Sequence, residues 1–197
     1  MGRSMLYYLI GYPGVGKHTI GKAMVAQAGG LHERLVLVDN HYVNNPIFGL
    51  LDVDGIKPLP PEVWAQVAKV SDAVTTTIRE LSPPGWSFIK TNYLADRPDE
   101  RAGFEGVAEL ARARDSVFLP VSLRCRPEEH VRRLGDPARA ERLKWRDREG
   151  LGRLIQEKGH LEPDHPNLMD LDVTRLNPDE AAKLILARGQ LLMAAAD

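Results

Sequence analysis

The chain is poor in cysteine, in long apolar runs and in net charge. Its 197 residues include one cysteine, Cys125, so no disulfide forms within the chain, and we expect a reducing, cytoplasmic setting. The apolar run at residues 5–10 is too short for a signal-peptide core or a membrane span, so no membrane partner is expected. Basic and acidic residues number 26 and 27, so the net charge of −1 provides no overall field to attract nucleic acid.

Short apolar runs alternate with longer stretches of helical periodicity, a pattern typical of βαβ units around a parallel sheet. The apolar runs predict five strands, at residues 5–10, 35–38, 86–90, 117–123 and 168–173. The periodic stretches predict helices from residue 17, at 61–81, at 98–114, from 127, and at about 181–193. Residues 41–61, rich in Asn, Asp and Pro, are predicted to form an irregular functional loop. We therefore expect one α/β domain over residues 1–197.

A glycine-rich segment links the first predicted strand to the first predicted helix. Gly11, Gly16 and Lys17 have the spacing of a phosphate-binding loop (P-loop, residues 11–19). Glycines allow several backbone N–H groups to point at one anion, and the start of the helix adds positive potential. The lysine supplies a mobile positive charge for the outer phosphates. The sequence thus predicts a site for a nucleoside triphosphate, in the simplest case ATP.

One position of this loop departs from the common motif. The residue after Lys17 is usually Ser or Thr, whose hydroxyl holds Mg²⁺, but here it is His18, and an imidazole is a poor ligand for a hard cation. Together with Pro13 and Thr19, the string resembles the P-loop of adenylate-kinase-type proteins. That resemblance implies that His18 contributes mainly its backbone N–H, and that Mg²⁺ is held through water, nucleotide and a carboxylate. The residues expected to contact the nucleotide are Gly11, Pro13, Gly14, Val15, Gly16, Lys17, His18 and Thr19.

The chain as a whole resembles the nucleoside-monophosphate-kinase-like branch of the P-loop kinases. This branch includes adenylate, cytidylate and shikimate kinases and chloramphenicol phosphotransferase. The resemblance covers the order of the elements and is sharp only at the P-loop. It implies a three-layer fold around a five-stranded parallel sheet of order 2-3-1-4-5, a substrate-binding region at about 41–82 and a lid at about 134–150. It also implies transfer of the γ-phosphate of ATP, with Mg²⁺, to a small-molecule acceptor, either a nucleotide or a small hydroxyl compound.

The end of the second predicted strand carries Asp39, Asn40 and His41. Shikimate and gluconate kinases have an Asp-x-Asp at this place, and the resemblance implies that Asp39 helps to hold the metal. Thr19 is the second candidate ligand. His41 replaces the second Asp and is a candidate for contacting the acceptor; either His41 or Asp39 is a candidate base for an acceptor hydroxyl. The alternative interpretation is that Asp39 caps the following turn.

The third predicted strand delivers Thr91 and Asn92 where adenylate-type kinases usually have an acidic residue. Asn92 is a candidate substrate ligand, and a cap of the strand end is the alternative. Arg97 is a candidate for an anionic group of the acceptor, or else a surface arginine.

Arginines cluster in and just before the predicted lid. The resemblance implies that Arg133 stacks on the adenine and that Arg139 reaches the phosphates, with Arg142 the next candidate. Positioned cations of this kind neutralise the charge of a phosphoryl group in transfer. The alternative is a solvated amphipathic helix whose arginines pair with Glu141, Asp147 and Glu149.

Two other function classes compete with a small-molecule kinase. An ATP-binding or slowly hydrolysing module without an acceptor would account for His18 and for the missing acidic residue after the third strand. A kinase acting on nucleic-acid ends would need a basic channel lined by aromatic rings, which the few aromatic residues near the substrate side do not favour. No pattern predicts the oligomeric state.

Overall fold

A computed structural model describes residues 3–51, 53–54, 57–134, 150, 152 and 160–196. Five parallel strands form one sheet in the order β2-β3-β1-β4-β5, which confirms the predicted topology. The strands are β1 (Met5–Ile10), β2 (Arg34–Val38), β3 (Trp86–Asn92), β4 (Val117–Arg124) and β5 (Met169–Asp172). The helices are α1 (Lys17–Gln27), α2 (Asn40–Phe48), α3 (Pro61–Glu80), α4 (Pro98–Ala113), α5 (Pro127–Leu134) and α6 (Pro178–Ala196).

The helices cover both faces of the sheet because successive side chains of a strand point to opposite faces. On one face Tyr7 and Leu9 of β1 pack with apolar side chains of α1 and α6, such as Met24 and Ile185. On the other face the side chain of Tyr8 packs with those of α3 and α4. All six residues of β1 are buried, which explains why this strand reads as an uninterrupted apolar run.

The carboxyl ends of the strands place the candidate residues along one edge of the sheet. In the register of the sheet, Ile10 of β1 lies opposite Asn92 of β3, and Val38 of β2 lies opposite Lys90. The P-loop follows β1, and Asp39 follows β2, so both emerge at this edge. Ligands of open α/β sheets bind at such an edge.

Helix α2 is the main difference from the expected arrangement. We predicted residues 41–61 as an irregular loop, and for the first part of that segment the prediction was wrong. Asp39 is the N-cap, and its Oδ1 accepts a hydrogen bond of 3.0 Å from the N–H of His41. Pro46 lies inside the helix, and residues of low helix propensity surround it, so the cap and tertiary contacts stabilise a helix that periodicity does not reveal. Phe48 is buried and meets Trp64 of α3 edge to face.

A buried polar network lies under α6, on the sheet face that α1 and α6 cover. Nε2 of His32 is 3.1 Å from the hydroxyl of Tyr7, and its Nδ1 is 3.1 Å from Oγ of Ser87. Oγ of Ser87 also accepts a hydrogen bond from the N–H of Met5. Burial lowers the pKa of His32. Gly189 of α6 lies directly over Tyr7, and a Cβ added there would be 2.4 Å from the phenol oxygen.

None of the helices in the described ranges combines the length and the apolarity that a membrane crossing requires.

Candidate functional site

The P-loop turns tightly between β1 and α1, as its glycines predict. Gly11 has a φ of 151°, and a Cβ at this position would lie 2.6 Å from the carbonyl oxygen of Leu123 on β4. Gly16 has a φ of 116° and forms the N-cap of α1. Both conformations favour glycine, and the second leaves the first N–H groups of α1 directed out of the helix. Such a helix start is a site for an anion such as phosphate.

The ammonium of Lys17 lies inside this loop. Its Nζ donates hydrogen bonds to the carbonyl oxygens of Gly11, at 2.5 Å, and of Tyr12, at 3.0 Å. The side chain therefore folds back over the turn that precedes it. Phosphate oxygens at the helix start would compete with these carbonyls for the same cation.

Pro13 and Gly14 are half-buried in the loop, Val15 is fully buried, and Thr19 is exposed on the first turn of α1. Their burial follows from the loop packing against α5, since a Cβ at Gly14 would lie 3.2 Å from the side chain of Leu134.

Asp39 is held by hydrogen bonds from two directions. Oδ1 accepts from the backbone of α2, and Oδ2 accepts a 3.0 Å bond from the hydroxyl of Thr91. The Thr91 oxygen in turn accepts a 3.1 Å bond from the N–H of Asn40. Asp39 as a whole residue is buried. Asp39 thus does cap a helix, and it does so where it also faces the P-loop; its catalytic and metal roles stay predictions.

His18 reaches across from α1 to this carboxylate. Its Nδ1 lies 3.3 Å from Oδ2 of Asp39, a contact with the distance of an ion pair. Nδ1 is buried, and among the residues that the structure describes it has no partner in hydrogen-bond geometry. We had expected His18 to contribute mainly its backbone N–H, and the structure adds a contact of its side chain.

A cleft of about 380 Å³ opens beside this pair. Its lining residues are His18, Lys22, Leu37, Asp39, His41, Tyr42 and Asn45. His41 places Nδ1 3.2 Å from Oδ1 of Asn45, one turn along α2. The structure therefore brings Asp39 and His41 together on one cleft, as the substrate hypothesis requires.

Asn92 and Arg97 are engaged elsewhere. Oδ1 of Asn92 accepts a 2.9 Å hydrogen bond from the N–H of Tyr93. The guanidinium of Arg97 pairs with Glu100 at 3.0 Å and with Asp99 at 3.6 Å, in the first turn of α4. Neither residue lines the cleft beside Asp39 in the described part of the chain. Their contacts match the strand-end and surface alternatives, and their roles toward a substrate stay predictions.

Arg133 ties α5 to the P-loop. Its guanidinium donates hydrogen bonds to the carbonyl of Val15, at 2.6 Å, and of Val173, at 2.9 Å. Its Nε donates to Glu129 at 2.6 Å. Hydrogen bonds from Arg132 and Arg133 lower the pKa of Glu129 to about 2. The predicted lid, with Arg139 and Arg142, lies outside the described residues except for its limits at 134 and 150.

Aromatic rings cover the outer side of the P-loop, which we did not predict. Tyr12 stacks on Tyr93, with ring centroids 5.4 Å apart, and contacts His130 and His160. Burial and the neighbouring Tyr12 raise the pKa of Tyr93 to about 12. Burial and the charge of Lys17 lower the pKa of His160. Lys17 is itself half-buried in the loop that these rings cover.

The residues at this edge fit a divalent cation that is held mainly by nucleotide and water. Mg²⁺ takes one or two carboxylates and keeps several waters. Asp39 offers one buried carboxylate, and Nδ1 of His18 is a buried nitrogen beside it. In the described part of the chain no group of three His, Cys, Asp or Glu side chains forms a complete cage. The hydroxyl of Thr19 is exposed on the same helix start.

Solved structures of other proteins have a fold similar to that of this chain. No protein-family model matches the chain, and no curated protein matches it in sequence. APS kinase CysC of Mycobacterium tuberculosis, solved with AMPPNP and APS, superposes with a TM-score of 0.62 at 15% identity, covering 95% of this chain and 98% of that one. A gluconokinase of Sinorhizobium meliloti gives 0.57 at 12%, covering 100% and 95%. The chain has the fold of the P-loop kinases.

A third similar structure is that of Kti12, whose name does not identify it as a kinase. Kti12 of Chaetomium thermophilum, solved with ADP-AlF3, superposes on this P-loop kinase fold with a TM-score of 0.59 at 16% identity. The matched regions cover 93% of this chain and 96% of Kti12. At such identities the likeness extends to the fold alone.

Sequence reasoning missed three residues of this site. Thr91 holds Asp39, but it was passed over because its partner depends on the register between β2 and β3. Lys22 was overlooked, although it lies one turn after His18 on α1 and the spacing i, i+4 signals a shared face. Tyr12 occupies a variable position of the motif, and no pattern marks it as a contact of Tyr93.

Proposed function

We propose that this protein binds ATP at the P-loop and transfers its γ-phosphate to a small-molecule acceptor. The observation that carries the proposal is that the carboxylate of Asp39 lies 3.3 Å from His18, the residue after Lys17 at the start of α1, beside a cleft. Phosphoryl transfer depends chiefly on positioning and on neutralising charge, and this edge offers both kinds of group. The similar fold of APS kinase and gluconokinase supports the same reading.

In this proposal each group has one task. The N–H groups of residues 14–19 bind the phosphates, and Lys17 moves from the carbonyls of its own loop onto the outer phosphates. Asp39 and Thr19 hold Mg²⁺, which would supply positive charge to the phosphate oxygens when bound. Arg139 and Arg142 of the lid at 134–150 approach the transferring group, and Arg133 borders the adenine.

The acceptor is proposed to bind in the cleft between α1 and α2, within the substrate-binding region at 41–82. A volume of about 380 Å³ suits a small hydroxyl compound or a nucleotide fragment. His41 lies at the wall of this cleft and is a candidate for accepting the hydroxyl proton, as is Asp39. Asn92 and Arg97 would contact the acceptor only after leaving their present partners.

A second candidate is an ATP-binding or slowly hydrolysing module without an acceptor. His18 in place of a hydroxyl and Thr91-Asn92 in place of an acidic residue favour it. The similar fold of Kti12 supports it as well.

One assay separates the two candidates. The full chain is incubated with γ-labelled ATP, Mg²⁺ and a panel of nucleoside monophosphates, sugars, sugar acids, shikimate-like acids and aminoglycosides. Label on an acceptor supports the kinase. Release of inorganic phosphate at the same rate with and without every acceptor supports the module. ATP binding with neither product contradicts both as enzymes.

A further inference from the structure

Nδ1 of His18 and Oδ2 of Asp39 lie close enough together to bind one metal ion. The imidazole side chain is 26% exposed and the carboxylate 8%, so the two facing atoms are largely shielded from water. Nδ1 of His18 is buried and has no hydrogen-bond partner among the described residues. Buried polar atoms are generally satisfied, so a nitrogen in this state calls for a partner.

The distance between the two atoms matches a shared cation. Two ligand atoms about 2.1 Å from one ion, at an angle near 90–110°, lie about 3.0–3.4 Å apart. Nδ1 of His18 and Oδ2 of Asp39 are 3.3 Å apart. The two atoms are therefore already at the separation that a shared cation requires.

The groups around the carboxylate fix its orientation. Oδ1 is held by the N–H of His41, and Oδ2 receives the hydroxyl hydrogen of Thr91. Thr91 is itself oriented by the N–H of Asn40. Outer partners of this kind keep a ligand atom aimed at its metal and are a regular part of metal sites.

We propose that Nδ1 of His18 and Oδ2 of Asp39 together bind the divalent cation that accompanies the nucleotide, and that the nitrogen makes the site prefer Mn²⁺ to Mg²⁺. The inference rests on the proposed nucleotide site. Mg²⁺ prefers oxygen ligands in near-ideal octahedral geometry, whereas divalent first-row transition metals, of which Mn²⁺ binds nitrogen and oxygen sites least tightly, accept an imidazole nitrogen more readily. A histidine in place of the usual hydroxyl thereby changes which metal the P-loop favours.

The same geometry makes the cation depend on the nucleotide. Two protein atoms, or three with the Thr19 hydroxyl, are too few to hold Mn²⁺ tightly, and no group of three His, Cys, Asp or Glu side chains in the described residues could hold a metal ion. Phosphate oxygens at the start of α1 would complete the coordination. We therefore expect weak Mn²⁺ binding alone and tight binding with ADP.

The test uses the full chain with Mn²⁺ and ADP. Pulsed electron paramagnetic resonance detects the ¹⁴N nucleus of a histidine bound to Mn²⁺, and competition with Mg²⁺ gives the ratio of the two affinities. The variants are His18→Ser, His18→Gly and, as a matched control from the same cleft, His41→Ala. Circular dichroism checks that each variant is folded.

The expected result is a ¹⁴N coupling in the wild type and in His41→Ala that is lost in both His18 variants. The ratio of Mn²⁺ to Mg²⁺ affinity should fall by about tenfold or more in His18→Ser, the scale seen when a metal site loses a supporting group. A coupling that persists without His18, or ADP binding without any coupling in the wild type, overturns the cation site while leaving the nucleotide site intact. Absence of ADP binding with either metal overturns both.

Discussion

Arg133 donates a 2.6 Å hydrogen bond to the carbonyl of Val15, so a side chain of α5 holds the backbone of the P-loop from outside. The same guanidinium reaches the carbonyl of Val173, at the end of β5. The shape of the P-loop therefore depends on a residue that is more than a hundred positions away in sequence.

Replacement of Arg133 by Ala should weaken ATP binding and lower the free energy of unfolding. The change leaves two carbonyls without their charged donor, at a cost of about 1–3 kcal/mol. Calorimetric ATP titration and urea unfolding measure the two effects. Arg132→Ala is the matched control, because Arg132 lies on the same helix, is 73% exposed and pairs with Glu129. Equal effects of the two variants would contradict the role of Arg133.

Lys17→Ala should abolish detectable ATP binding while leaving the fold intact. The ammonium is the mobile charge of the site, and the backbone carbonyls of Gly11 and Tyr12 accept its hydrogen bonds. ATP titration by calorimetry measures the loss. Lys183→Ala removes an exposed lysine from α6, away from the cleft, and should retain ATP binding. If Lys17→Ala bound ATP as the wild type does, the P-loop assignment would fail.

Thr91→Val should reduce the benefit that Mg²⁺ gives to ATP binding. The hydroxyl joins Oδ2 of Asp39 to the N–H of Asn40, and its removal leaves a buried carboxylate with one donor fewer, a cost of about 1–3 kcal/mol. The measurement is ATP affinity with Mg²⁺ and with a chelator. Thr91→Ser keeps the hydroxyl and should behave like the wild type. An unchanged effect of Mg²⁺ in the valine variant would show that Thr91 does not position Asp39.

Gly189→Ala should destabilise the protein by about 1–3 kcal/mol, because the added methyl group overlaps a packed ring. Its Cβ would lie 2.4 Å from the phenol oxygen of Tyr7, which is fully buried. Gly106→Ala on α4 is the control, since a Cβ there meets nothing within 4 Å. It should stabilise the helix by up to about 1 kcal/mol. Thermal unfolding of both variants settles the comparison, and a neutral Gly189 variant would refute the close packing.

Acid should destabilise the protein through His32. Burial lowers its pKa from 6.5, so below pH 6.5 the unfolded chain takes up a proton that the folded one does not. The free energy of unfolding should therefore fall as the pH drops from about 7 to 5. His32→Gln removes the titrating group and should show a shallower fall. Identical slopes in urea unfolding across this range would exclude His32 as the cause.

The strands and the P-loop could be predicted because each has a local signature. Met5–Ile10 is buried on both faces of the sheet, so its sequence is continuously apolar. The glycines of the P-loop indicate positive φ angles, which other residues avoid. Helix α2 could not be predicted, because Asp39 starts it and Pro46 interrupts its pattern. A helix cap is a single side chain, so it leaves no periodic pattern in the sequence.

The contacts between segments that are distant in sequence could not be predicted either. Asp39 and His41 were predicted for one site from their place after β2, and they do line one cleft. The hydrogen-bond partners of Asp39 were not predicted. Thr91 is one of them, and it lies near Asp39 only because β2 and β3 are aligned in the sheet. Arg97 was a candidate for an acceptor anion, with a surface arginine as the alternative; it forms ion pairs with Asp99 and Glu100, and its role toward a substrate stays a prediction.

The bonds from Lys17 to the carbonyls of Gly11 and Tyr12 change what binding means for this loop. The ammonium already occupies the turn through these hydrogen bonds. A triphosphate that binds here would replace the carbonyls as the acceptors of Lys17, and it would not have to order a flexible loop. Such an exchange orders few additional bonds, and a small entropy change on ATP binding should accompany it. A nucleoside with one phosphate would be too short to reach the ammonium of Lys17. The hydrogen bonds from Lys17 to the loop carbonyls would then remain in place.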